Sequence, residues 1–182
     1  MPPVPERPEQ NPAATIWTIG HSNRGAAEFL GLLTGEEIEL LVDVRRFPGS
    51  RTHPQFNADA LQQSLADAGI KYRHMEALGG RRSARRPDSP NTAWRVESFN
   101  AYADHMLTPE FQAALEQLED RAKRERTVIT CAEAVPWRCH RRLIADALTA
   151  RGWTVRNLMS AGRVAPHTLT PFARVENGRV TY

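Results

Sequence analysis

Lysine and cysteine are the scarce residues of this chain. Lys71 and Lys123 are the two lysines among 24 basic residues, and Cys131 and Cys139 the two cysteines among 182 residues. Two cysteines cannot build the disulfide framework of a small secreted domain, so they read as thiols in a reducing, cytoplasmic setting. No apolar run approaches the ~20 residues that a membrane span needs, and no membrane partner is expected. The head, Met1 to Pro12, carries five prolines and no hydrophobic stretch, which argues against a secretory signal. Residues 1–13 are expected to be a disordered, Pro-rich tail and 14–182 a single domain. There is no internal repeat and no second linker. Net charge is only +3, too mild to argue for nucleic acid by itself. The near-replacement of lysine by arginine says more, because the rigid guanidinium fork suits carboxylate and phosphate. A compositional bias of the source genome would leave the same mark.

What is present alternates between strand and helix patterns. Thr15–Ile19 reads as a first strand that ends in Gly20-His21-Ser22-Asn23-Arg24. Ser22 or Asn23 is expected to cap a helix with Phe29, Leu32 and Leu33 on its buried face. Glu39–Arg45 is a nearly continuous apolar strand, the pattern of a parallel strand covered on both faces. It runs out into the basic loop Arg45-Arg46-Phe47-Pro48-Gly49-Ser50-Arg51. Asn57 looks like the cap of a helix carrying Leu61 and Leu65, with Gly69 just past its end. Ile70–His74 is a short third strand. Gly79 to Asn91, with Arg81, Arg82, Arg85 and Arg86, is a long basic loop expected to be mobile. Phe99, Tyr102 and Met106 mark one helix. Thr108-Pro109 starts another, with Thr as cap and Pro in the first turn. Thr127–Cys131 is a buried strand, and the next helix carries Leu143, Ile144, Ala147 and Leu148. Gly152 ends that helix, Trp153–Leu158 is a fifth strand, and Ser160–Arg163 its polar outlet. Asn177-Gly178 marks a hairpin. The order implies an α/β fold: a three-layer domain with a mostly parallel central sheet, helices on both faces and a short C-terminal hairpin.

Ligands of open α/β sheets bind outside the carboxyl ends of the strands. Those ends collect His21, Ser22, Arg24, Asp43, Arg45, Arg46, Ser50, Arg51, His74, Gly79, Gly80, Cys131, Glu133, Arg138, Cys139, His140 and Arg163. Cys139 shares a helix face with Leu143 and Ala147, and His140 with Ile144 and Leu148, so both lean toward the core. A thiol at a helix N-terminus near Arg and His has a lowered pKa. Cys139 is therefore a candidate nucleophile, and Cys131, before a loop that could cradle an anion, is a second. Equally, buried cysteines commonly act as small hydrophobes. His21, Asp43, Glu133 and His140 are candidate acid–base groups, although Asp43 could simply brace loop N–H groups. Arg142 and Asp146, at i and i+4, are expected to face water and pair weakly. The Cys-x7-Cys-His spacing is no compact zinc pattern, and no metal site is assigned.

These residues together resemble the domain-of-unknown-function family numbered 488. The shared features are Thr18-Ile-Gly20-His21-Ser22, then Leu41-Val-Asp43-Val-Arg45 with Pro48, Ser50 and Arg51, then Leu78-Gly79-Gly80. Last come Cys131-Ala-Glu133 and Cys139-His140-Arg141 with Leu143-Ile-Ala. The match runs from about Ile16 to Leu158 and implies an α/β domain with its site at those motifs. A fainter likeness is to rhodanese and cysteine-phosphatase loops, from which the Cys131-x6-Arg138 spacing departs. The expected function is an enzyme acting on a phosphate-bearing ligand, a nucleotide or nucleic acid. Arg45, Arg51, Arg138 and Arg141 would hold the anion, with Ser22, Ser50, Gly79 and Gly80 beside it. The alternatives are a non-catalytic nucleotide- or nucleic-acid-binding module using loop 79–91, and a rhodanese-like or redox-sensing thiol protein. No cofactor is assigned.

Overall fold

The computed structural model describes residues 14–82 and 85–182. The expected disordered head lies outside the described residues. Six strands form one sheet: β1 (Thr15–Gly20), β2 (Leu40–Asp43), β3 (Lys71–His74), β4 (Thr127–Cys131), β5 (Thr154–Ser160) and β6 (Arg163–Pro166), in the order β3-β2-β4-β1-β5-β6. The first five run parallel and β6 pairs antiparallel with β5. The expected polar outlet at Ser160–Arg163 is thus the turn of a hairpin. The C-terminal β7 (Arg174–Glu176) and β8 (Arg179–Thr181) form the two-stranded hairpin that Asn177-Gly178 signals.

The apolar strands are those with helices on both sides. One face of the sheet places Trp17, Ile19, Leu41 and Val128 against α1 (Ala26–Gly35) and α2 (Ala58–Asp67). The other places Ile16, Val42, Ile129 and Val155 against α3 (Glu97–Met106), α4 (Pro109–Ala122) and α5 (Arg141–Ala150). Each fully buried aliphatic side chain removes enough apolar area from water to stabilise the fold by roughly 1.5–3 kcal/mol. Thr108 caps α4 by accepting from Phe111 N at 3.2 Å. Gly69 and Gly152 take positive φ just past α2 and α5.

Two local expectations are corrected. The N-cap of α1 is Gly25, not Ser22 or Asn23; Ser22 is instead in a left-handed turn, with its N–H donated to Ala132 O. Arg142 and Asp146 do not pair in water. Asp146 is fully buried and accepts from His167 Nε2, Thr170 N and the Tyr182 hydroxyl. Arg142 donates to Thr170 Oγ1 and sits over the Trp94 ring. The chain from Thr170 to Tyr182 covers the outer side of α5 and turns it into interior.

The chain leaves β1 for α1 on one face of the sheet and leaves the adjacent β4 for α5 on the other. That divergence opens a crevice at the carboxyl edge, between the ends of β1, β2 and β4.

Candidate functional site

A cavity of about 700 Å³ fills this crevice. Its walls come from the outlets of β1 (His21, Ser22, Asn23), β2 (Arg45, Arg46, Phe47, Ser50, His53) and β4 (Cys131, Ala132, Glu133), closed by Gly80, Arg81, Arg138, Cys139 and His140 and by Ser98, Phe99 and Tyr102 of α3. The β1 and β4 outlets are joined by His21 N to Cys131 O at 2.9 Å and Ser22 N to Ala132 O at 3.0 Å. Gly20 makes that joint: a Cβ there would lie 1.7 Å from Glu133 O.

Cys131 and Cys139 are free thiols, 2% and 3% exposed, and both lie in the cavity wall. Their environments differ. Burial pushes the Cys131 thiol well up, and its bond to Cys139 adds to that. Burial also acts against the Cys139 thiolate, but the Cys131 bond, the Arg141 charge and the Arg141 N–H outweigh it and lower the pKa. Arg141 N lies 3.4 Å from Cys139 Sγ.

His140 stands beside this thiol. Its Nε2 is 2.8 Å from Val44 O, and a carbonyl can only accept, so Nε2 carries the proton and Nδ1 is bare. Nδ1 lies 3.6 Å from Cys139 Sγ, within reach of its proton. Burial holds the imidazole below its ordinary pKa. Gly80 leaves room for this ring, since a Cβ at that position would come 2.7 Å from Nδ1.

Arg141 has 1% exposure. Nη2 donates to Glu133 O at 3.0 Å, while Nε and Nη1 are buried with no hydrogen-bond partner among the described residues. Arg45, by contrast, is fully neutralised. Asp43 accepts from Arg45 Nε at 2.9 Å, from Nη2 at 2.6 Å and from the Tyr72 hydroxyl at 2.8 Å. Arg45 Nη1 reaches His21 Nε2 at 3.4 Å. His21 Nδ1 bonds Ser22 O at 2.9 Å and so carries the proton. Its ring stacks on Phe56. Burial, helped by the Arg45 charge, lowers its pKa and keeps it neutral.

Among the residues singled out from sequence, His21, Ser22, Arg45, Arg46, Ser50, Gly80, Cys131, Glu133, Arg138, Cys139 and His140 line the cavity. Arg24, Asp43, Arg51, His74, Gly79, Arg141 and Arg163 do not. Asp43 stands behind Arg45, and Arg141 behind the thiols. Arg51 is exposed to solvent outside the cavity, and a Cβ on Gly79 would meet the Arg46 backbone at 2.7 Å. The expected mobile basic loop is tied to the protein at several points. Arg82 donates to Gly79 O and Glu76 O, Arg85 to Glu97 and Asn91 O, and Arg86 N to Asp104. Arg81 is its one arginine in the cavity wall; residues 83–84 are outside the described residues. Sequence reasoning left His53 and Tyr102 out of the site. His53 lies two residues past the β2 outlet loop singled out above. Tyr102 gave no signal, because its helical spacing marks it as core, and its hydroxyl is spent on Leu78 O.

Among the described residues, no group of three or more His, Cys, Asp or Glu side chains is placed to hold a metal ion, and no helix is long and apolar enough to cross a membrane. The family model described as "Domain of unknown function DUF488" matches residues 25–148. Comparison with curated proteins and with solved structures gives no match.

Proposed function

The chain belongs to the family described as Domain of unknown function DUF488, a membership that specifies no reaction, and from the cavity of its domain we propose an enzyme that uses Cys139 as a nucleophile on a phosphate-bearing ligand, a nucleotide or nucleic acid. One observation carries the reading: a buried guanidinium, Arg141, lies behind the thiol pair with two donors unmatched. An isolated buried cation is costly and calls for a counter-charge. A Cys139 thiolate supplies it.

The surrounding groups have the arrangement of an activated nucleophile: thiol, adjacent base, and a third group orienting the base. Here these are Cys139, His140 Nδ1 and Val44 O. His140 takes the thiol proton, and the sulfur attacks the electrophilic atom of the substrate. A bond from sulfur to that atom forms as its bond to the leaving group breaks. Glu133 lines the same cavity and, among the described residues, its carboxylate makes no hydrogen bond, leaving it free to exchange a proton with the leaving group or with water. Water then cleaves the bond to sulfur and restores the thiol. Arg46, whose Nε is unpaired among the described residues, lines the wall with Arg81 and Arg138, and these are the cations available to phosphate. Phe47, 62% exposed and lining the cavity, offers a ring on which a base can stack.

The test is the pH dependence of iodoacetamide labelling, resolved between the cysteines by mass spectrometry, with and without inorganic phosphate or a nucleoside monophosphate. Cys139 is expected to label near neutral pH, ahead of Cys131, and to be protected by the anions. A Cys139 that labels only after unfolding overturns the nucleophile. Labelling that neither anion slows, at millimolar concentration, overturns the phosphate ligand. Protection without any product from a nucleotide panel leaves a binding module in place of an enzyme.

A further inference from the structure

The mechanism above gives no work to Cys131. This thiol is buried in the same cavity wall as Cys139, at the end of the central strand β4. We propose that Cys131 is a resolving thiol, and that a peroxide converts the Cys131–Cys139 pair into a reversible disulfide that switches the cavity off and shields Cys139 from irreversible oxidation. The proposal rests on the reading of Cys139 as the reactive thiol and adds a modification to that site.

Three features of the geometry support it. Both sulfurs lie in one cavity wall and adjoin the same pair of residues: Cys131 Sγ is 4.0 Å from Glu133 O, which accepts from Arg141 Nη2 at 3.0 Å, and Arg141 N is 3.4 Å from Cys139 Sγ. Cys139 lies in extended backbone between the short 3-10 turn Pro136–Arg138 and α5, a segment that can adjust, while Cys131 is held in the parallel ladder opposite Gly20. The cavity admits a molecule as small as hydrogen peroxide to sulfurs that are almost closed to bulk solvent. The chemistry is asymmetric in the required sense. The thiolate attacks and the neutral neighbour resolves, and the shared hydrogen bond favours charge on Cys139 over Cys131.

The steps balance. The Cys139 thiolate attacks one peroxide oxygen, the O–O bond breaks, and the departing hydroxide takes a proton and leaves as water, giving Cys139 sulfenic acid. The Cys131 sulfur then attacks the Cys139 sulfur. The S–S bond forms, the S–O bond breaks, and the hydroxyl leaves with the Cys131 proton as a second water. Both sulfurs are oxidised by one electron each and the peroxide is reduced by two. A small dithiol reverses the reaction by thiol–disulfide exchange.

The experiment treats the reduced full-length chain with hydrogen peroxide, followed by intact mass and peptide mapping, beside Cys131→Ser and Cys131→Ala. The wild type is expected to lose about 2 Da, to yield a peptide bridging Cys131 and Cys139, and to return to its starting mass and iodoacetamide reactivity with dithiothreitol. Either variant is expected instead to gain about 32 Da at Cys139, as sulfinic acid, and to stay modified. Circular dichroism of both variants, set against wild type, ensures that a folded one is scored. Wild type and a folded variant over-oxidising at the same rate, with no bridged peptide, overturns the pairing. If Cys139 of that protein still labels near neutral pH, the nucleophile reading stands without the switch. A bridged peptide in a protein that no phosphate ligand protects upholds the switch and removes the phosphate reading alone.

Discussion

Arg141 brings a full positive charge to a place where a backbone carbonyl is its one hydrogen-bond acceptor. Asp43 and Arg45 show the ordinary solution a few ångströms of sheet away: a buried carboxylate grips a buried guanidinium with both oxygens. The contrast separates a charge held for position from a charge held for what it does to a neighbour. Replacing this charge by an apolar side chain lets Cys139 revert to its neutral thiol, so no unpaired buried charge is left behind. Arg141→Met, close in length and apolar, is therefore expected to leave the melting temperature unchanged or higher, while slowing iodoacetamide labelling of Cys139 at neutral pH by about tenfold. A labelling rate equal to wild type in a folded Arg141→Met protein removes Arg141 as the source of the thiolate. The sequence showed the chemistry of these side chains, and Cys139 is buried as expected, but not through the helical period that suggested it: α5 begins at Arg141, and Cys139 precedes it in extended backbone. The sequence did not show that Arg141 would go unpaired. The partner of a buried charge is a matter of tertiary placement. For the same reason Arg142 and Asp146 looked like a surface pair, although the groups that hold Asp146 come from His167, Thr170 and Tyr182.

At the scale of the element, the site is a set of joints between strand ends, and two glycines test that view. Gly20 ends β1 where the Glu133 carbonyl closes over it, and Gly31 lies in α1 with nothing near its missing Cβ. Gly20→Ala is expected to destabilise the protein by about 2 kcal/mol or more, because backbone must move to admit the methyl group. It should also alter Cys131 labelling, since the displaced segment adjoins that thiol. Gly31→Ala is expected to stabilise by about 0.5–1 kcal/mol through the unfolded chain. Urea denaturation measures both, and a Gly20→Ala protein as stable as wild type would mean the β1 and β4 outlets are not packed as described. Strands β1, β2 and β4 were legible because their residues are apolar on both faces, as central parallel strands must be. β6 was not: Arg163-Val-Ala-Pro166 has no alternation and contains a proline, which an edge strand tolerates because one side of its backbone has no ladder to join. The outlet loop of β2 was read as basic, but which of its arginines turns inward is set by how the loop folds back from Ser50, whose N–H donates to Asn57 Oδ1 and whose Oγ accepts from His53 N. That turn brings Arg46 to the cavity and leaves Arg51 outside.

Across the whole molecule, the titratable groups set a window of stability. Burial is the largest influence lowering the pKa of His21, His105 and His140. Each is neutral in the fold, whereas in the unfolded chain it takes up a proton below about pH 6.5. The unfolded state then holds more protons, so stability falls as pH drops below that value. On the alkaline side burial raises the pKa of Tyr72, Tyr102 and Tyr182. Those hydroxyls ionise first in the unfolded chain, above about pH 10, and the stability they contribute is lost there. Urea midpoints are therefore expected to be highest between these limits and to fall from pH 7.5 to 5.5. His105 lies outside the cavity wall and binds Ala77 O through Nε2 at 2.6 Å. His105→Gln keeps a donor for that carbonyl and removes the titration, so its acid limb is expected to be shallower than that of wild type while Cys139 labelling is unchanged. A midpoint that is flat down to pH 5.5, or a His105→Gln limb as steep as the original, would show that the buried imidazoles take up protons without unfolding. In that case neutral His140 could not be the resting partner of the Cys139 thiol, and the base would have to be sought in Glu133.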